Sequence, residues 1–146
     1  MVEINPETLK VFGFWGSILV LKLMAMSLLT GRTRFRKLVF ANPEDTGFAG
    51  KKAKVTFDDP DVERVRRAHL NDLENITPWF IITYLWLSTA PAPWLAKILI
   101  RVFVISRIGH TLSYAVIPQQ PARAIAFFVG YGITGYQAVA TLLHYT

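Results

Sequence analysis

The 146-residue sequence contains no cysteine, which excludes disulfides, thiolate metal sites and a cysteine nucleophile. Any thiol chemistry must use a bound thiol. His69 and His144 lack an acid or histidine at metal-ligand spacing, so no metal site is expected. The acidic group Asp58, Asp59, Asp61 and Glu63 lacks calcium-loop spacing and reads as a helix start. Acids are outnumbered, 10 against 16 lysines and arginines, for a net charge of +6. No zinc-finger spacing, RNP-like aromatic motif or soluble basic helix accompanies that charge, so nucleic acid is not an expected partner. The first apolar run has no basic leader and no small-residue cleavage site, being preceded by Glu3 and Glu7 with only Lys10 positive. It reads as an anchor that stays rather than a signal peptide. With no internal repeat, low-complexity tract or interdomain linker, a single domain over 1–146 is expected.

What the chain has is apolar residues, 52% of the total, with 13% aromatic. That makes the bilayer the leading solvent. Apolar runs cover 11–29, 76–90, 94–117 and 124–143, against the roughly 20 residues a spanning helix needs. The second is short and spans only if the polar stretch before it continues as the same helix. The expected fold is all-α, an integral membrane four-helix bundle with spans near 11–29, 62–90, 94–117 and 124–143. Asp59 is the expected N-cap of the second helix and Pro60 its first residue, with Asp61 and Glu63 in the first turn. Pro78 is a candidate kink.

The loop over 30–61 gathers Arg32, Arg34, Arg36, Lys37, Lys51, Lys52 and Lys54. The positive-inside bias puts it in the cytosol and both chain ends on the opposite side. There each basic residue near anionic headgroups contributes about 1 kcal/mol of attraction, so membrane lipids are expected partners. Trp15, Trp79, Trp86 and Trp94 read as membrane anchors or packing, and Gly130, Gly132 and Gly135 as sites of close helix approach. The glycosylation pattern at Asn75 lies inside a predicted membrane helix and reads as a false positive.

At about 100° per residue, Arg64, Arg67, Asn71 and Glu74 share one stripe of the second helix, while Arg66, His69 and Asp72 point elsewhere. Arg107, His110, Thr111 and Tyr114 share one face of the third. A charge at the centre of a membrane helix costs on the order of 2.5–3.5 kcal/mol on insertion scales, so such residues face partners or a wet cavity. Two readings follow: an interhelical polar network that fixes packing, or a ligand site. Lys22, midway along the first span, reads as an interhelical or headgroup partner. His110 alone would be a satisfied core histidine. For a ligand, the arginines Arg34, Arg64, Arg67, Arg107 and Arg123 favour a carboxylate, and Asn71 and Glu74 suit an amide or ammonium. A small zwitterionic peptide would use all of these.

The segments FANPED (40–45), VERVRRAHLNDLENI (62–76), RIGHTLSY (107–114), QPARA (120–124) and FFVGYGIT (127–134) resemble, nearly end to end, the membrane-associated proteins in eicosanoid and glutathione metabolism, the MAPEG family. The similarity is to the subgroup of microsomal glutathione transferases and inducible prostaglandin E synthases. It implies a homotrimer of the endoplasmic reticulum membrane, or the mitochondrial outer membrane, with glutathione between neighbouring subunits near the cytosolic face. By position it implies Arg34, Arg67, Asn71, Glu74, His110, Tyr114 and Arg123 as glutathione contacts. Arg123 is the implied catalytic residue, holding the glutathione sulfur as thiolate. Asp45 stands where an aspartate is proposed to assist the synthase reaction.

Departures within the pattern favour a transferase. The synthase type has a serine after its catalytic arginine, where this chain has Ala124. It has an arginine where Leu70 stands and a tyrosine where Phe127 stands. The transferase type bears a loop cysteine whose modification activates it. Here Thr46 follows Asp45, so thiol-reactive activation is expected to be absent. Three functions are carried forward: a transferase that adds glutathione to hydrophobic electrophiles and reduces lipid hydroperoxides, a prostaglandin E synthase, and a non-enzymatic lipid-binding scaffold.

Overall fold

A computed structural model describes residues 4–146. Helix α1 (Pro6–Lys37) starts at Asn5, whose side chain accepts from the Thr8 amide at 3.1 Å. It ends at Leu38, which adopts the left-handed conformation at φ 55° and closes the last turn onto Arg34 and Phe35 carbonyls. The loop expected over 30–61 is therefore partly helix. It also holds a short helix α2 (Pro43–Thr46) and two parallel strands, β1 (Val39–Phe40) and β2 (Lys54–Val55). The chain is mostly helical, as expected, and the strands are a local addition: Val39 and Phe40 are buried, and the Lys54 and Thr56 amides donate to the Leu38 and Phe40 carbonyls at 3.0 and 2.9 Å.

Helix α3 (Pro60–Leu87) begins as the sequence predicts, with the Asp59 carboxylate accepting from the Asp61 and Val62 amides at 3.1 Å. It carries the polar stretch and the short apolar run as one helix, through Pro78. Helix α4 (Pro93–Thr111) follows a tight turn, and its last expected turn widens into a π-helical segment, Leu112–Val116. Helix α5 (Ala122–Tyr145) completes the chain.

The four long helices pack α1 on α3 and α4, and α5 on α3 and α4. Trp79 stacks on Phe103 at 4.4 Å, amid fully buried Leu19, Ile76, Ile100 and Val104. Trp94 is exposed. Of the three clustered glycines, Gly130 is the one that allows close approach, since a Cβ there would lie 3.1 Å from Ser106 Oγ, whereas Gly132 and Gly135 face open space. Two helices, α1 and α5, are long and apolar enough by themselves to cross a membrane. Only 17% and 22% of their apolar stretches are buried, so large side chains such as Leu21, Leu28, Phe128 and Leu142 point outward. An outward apolar surface of this extent calls for a bilayer or a partner.

Candidate functional site

Asp72 is the hub of the buried polar centre. Its Oδ1 accepts from Arg107 Nη2 at 2.7 Å, and its Oδ2 accepts from Thr111 Oγ1 at 3.1 Å and from Lys22 Nζ. Lys22 is thus an interhelical partner, as its mid-span position implied. Asp72 and Arg107 are wholly buried. Two cations face one carboxylate, and the low-dielectric surroundings make each dependent on the others.

This hub connects to two expected ligand residues. Arg107 Nη2 also donates to Asn71 Oδ1 at 2.8 Å and lies 3.2 Å from His110 Nδ1. Among the described residues, Arg107 Nε and Nη1 have no hydrogen-bond partner. The His110 ring lies 5.5 Å from the Tyr114 ring, and the Arg123 guanidinium lies over Tyr114 at 4.6 Å. Tyr114 sits in the π-helical segment and packs against Met26, Val65 and Ala68. A chain of contacts therefore runs from Asn71 through Arg107, His110 and Tyr114 to Arg123, drawing on three helices. The array brings two guanidinium groups, one amide, an imidazole and a phenol into a single run of contacts.

Other expected site residues are not joined to this array within one chain. Arg34 is half-buried, with Nη1 unpartnered among the described residues, beside a groove it shares with Arg66, His69 and Leu70. Arg67 and Glu74 are exposed on α3. Glu74 edges a cleft of about 230 Å³ with Tyr131 and Thr134. Asp45 lies in α2, where it accepts from Asn42 Nδ2 at 3.2 Å. Arg64, expected on the Arg67 stripe, lines a different cavity with Arg32 and Arg36. Among the described residues, Arg34, Asp45, Arg67 and Glu74 make no hydrogen bond or ion pair with His110, Tyr114 or Arg123.

Asp72 is the residue that the sequence pattern missed. It does point away from the Arg67 stripe, but toward the core rather than out of the way. A signal was present: Asp72 falls on the face that buries Val65, Ala68, Ile76 and Trp79, and an acid on an apolar face needs a buried cation. Phe127 lies near the array, 6.3 Å from the His110 ring and stacked on Tyr131 at 5.6 Å.

The model of the MAPEG family matches residues 12–143. Microsomal glutathione S-transferase 1 of Homo sapiens is 45% identical over 133 residues, 89% of this chain and 86% of that protein. Its Rattus norvegicus counterpart is 46% identical over the same shares. Prostaglandin E synthase of Bos taurus is 36% identical over 123 residues, 84% of this chain and 80% of that protein.

Proposed function

The chain belongs to the MAPEG family, and we propose that it is a membrane-bound glutathione transferase that adds glutathione thiolate to hydrophobic electrophiles and reduces lipid hydroperoxides. The observation that carries this reading is the continuous array from Asn71 to Arg123, in a chain about 45% identical to microsomal glutathione S-transferase 1.

The donor set fits glutathione. Two carboxylates and a thiolate match Arg34, Arg67 and Arg123, the α-ammonium matches Glu74, and the peptide amides match Asn71, His110 and Tyr114. In the reaction, Arg123 holds the sulfur as thiolate because a guanidinium stays protonated and lowers the pKa of a thiol beside it. The sulfur bonds to the electrophilic carbon while a leaving group departs with its electron pair, and the thiol proton has gone to water. Apolar substrates reach the site from the hydrocarbon, which concentrates them.

The proposed assembly is an integral membrane four-helix bundle, α1, α3, α4 and α5, forming a homotrimer with sites between neighbouring subunits. The outward position of Arg67 and Glu74 supports a site completed by a second surface. The endoplasmic reticulum membrane is the proposed location, with the mitochondrial outer membrane as the alternative.

A prostaglandin E synthase is the second reading, supported by the 36% identity to that enzyme of Bos taurus. It is disfavoured by Ala124, which supplies no hydroxyl beside Arg123. A lipid-binding scaffold is the third. Purified protein assayed with glutathione against an aryl halide and a prostaglandin endoperoxide, with Arg123→Ala in parallel, separates them. Conjugation lost in the variant is the expected result. Endoperoxide isomerisation without conjugation would install the synthase reading, and glutathione binding without turnover of either substrate the scaffold.

A further inference from the structure

Arg32 and Arg36 stand one turn apart near the end of α1, and Arg64 lies in the second turn of α3. Their side chains line one cavity of about 350 Å³. Among the described residues none of the three makes an ion pair. The acid in the lining, Asp61, is already held by Lys37 at 2.5 Å. Three arginines thus line the cavity with one carboxylate that is itself paired with Lys37, and like charges so gathered repel unless an anion or water lies between them.

The same lining includes the apolar side chains of Leu29, Val65, Val116 and Pro118. Leu29 ends the first apolar run and Arg32 is the first cation after it, so the cavity lies at the depth where hydrocarbon gives way to headgroups. A free phosphate has no use for these apolar side chains. Nucleic acid would call for stacking aromatics, and a choline headgroup for an aromatic cage; the lining contains neither. A phosphodiester joined to glycerol and acyl chains, with a further negative charge, matches both the basic and the apolar part of this lining.

We infer that this cavity binds the headgroup of an anionic phospholipid, apart from the glutathione residues. The inference rests on the membrane reading proposed above. Guanidinium pairs from Arg32, Arg36 and Arg64 hold the phosphate in the bidentate manner arginine favours, while the glycerol end lies on Val65 and Val116.

The test is native mass spectrometry of the full chain, purified in detergent and equilibrated with equal amounts of phosphatidylserine and phosphatidylcholine. Wild type is expected to retain phosphatidylserine preferentially. Arg32→Gln with Arg36→Gln should reduce that preference roughly ten-fold, and Arg64→Gln should reduce it too. Lys51→Gln with Lys52→Gln, the same charge loss outside the cavity, should leave it unchanged. Equal losses in both double variants, or no preference in wild type, would overturn the site. Displacement of the lipid by millimolar inorganic phosphate would reassign it to free phosphate. Glutathione conjugation in phosphatidylcholine is measured on the same samples. Its absence in wild type would sink the transferase reading without touching lipid retention, and its persistence in Arg32→Gln/Arg36→Gln would show the fold intact. A chain that stays dispersed without detergent would overturn the membrane premise and this site with it.

Discussion

Arg107 of α4 and Asp72 of α3 meet at 2.7 Å with neither side chain exposed. The same guanidinium nitrogen reaches Asn71 and His110, so the ion pair that ties the helices also sets two proposed ligand residues.

Asp72→Asn should therefore destabilise the protein by roughly 3–5 kcal/mol, because Lys22 and Arg107 lose their buried counter-charge. Thermal unfolding in detergent measures it. Replacing Asp72 and Arg107 together with leucine should cost less than the two single losses combined, since only Lys22 is then left without its counter-charge. Additive losses would mean that the two do not act as a pair.

Gly16 and Gly13 give a paired test of packing between α1 and α3. A Cβ on Gly16 would lie 2.8 Å from Phe80 Cε1, inside contact distance, whereas one on Gly13 meets nothing within 4 Å. Gly16→Ala should cost about 1–3 kcal/mol. Gly13→Ala should be neutral or stabilising by up to about 1 kcal/mol through helix propensity. Melting temperatures that fall equally in both would contradict this packing.

Asn71→Ala should raise the KM for glutathione about ten-fold with a smaller effect on kcat, as expected for loss of a ligand hydrogen bond. Arg123→Ala should instead lower kcat by about 100-fold, the usual scale for removing a group that stabilises reacting charge. Steady-state kinetics with varied glutathione separate the two. Arg123→Lys should recover part of the rate, because an ammonium also stabilises thiolate.

Lys37 and Asp61 tie the end of α1 to the start of α3 at 2.5 Å, closing the segment 38–60 between them. The hydrogen bond and charge of Lys37 hold the Asp61 carboxyl below its ordinary 3.8, and Asp61, followed by Asp59, raises the Lys37 ammonium above 10.5. A depressed acid contributes above its unfolded pKa and loses that contribution as pH falls through the folded value. A raised lysine contributes below 10.5 and loses it as pH rises through its folded value. Hydrogen-exchange protection over residues 38–60, taken relative to the intrinsic rate at each pH, should thus be greatest between these limits, and Lys37→Gln should remove the acid-side dependence.

Much of the helical plan was legible because its signals are local. The Asp59 cap, Pro60 at the helix start and the four apolar runs each act through neighbours in the chain. Arg107, His110 and Tyr114 were legible as one face of α4 and the π-helical segment that continues it, for the same reason. The boundaries were less so: α1 runs to Lys37, because arginines favour a helix and lie beyond the apolar run used to mark it. Leu38 to Val55 gave no strand signal, two residues being too few to show a period. Arg64 was grouped with Arg67 by helical angle, but side chains at successive turns can lean into different cavities.

The sequence by itself determined a mostly helical, strongly apolar chain of the MAPEG family, since hydropathy and linear motifs need no knowledge of distant contacts. The tertiary structure alone decided which charges meet. Lys22 and Arg107 lie 50 and 35 residues from Asp72, and their meeting depends on how α1, α3 and α4 are rotated against one another. That rotation is set by the packing of Trp79, Phe103 and Leu19, a property of three helices at once that no single stretch encodes.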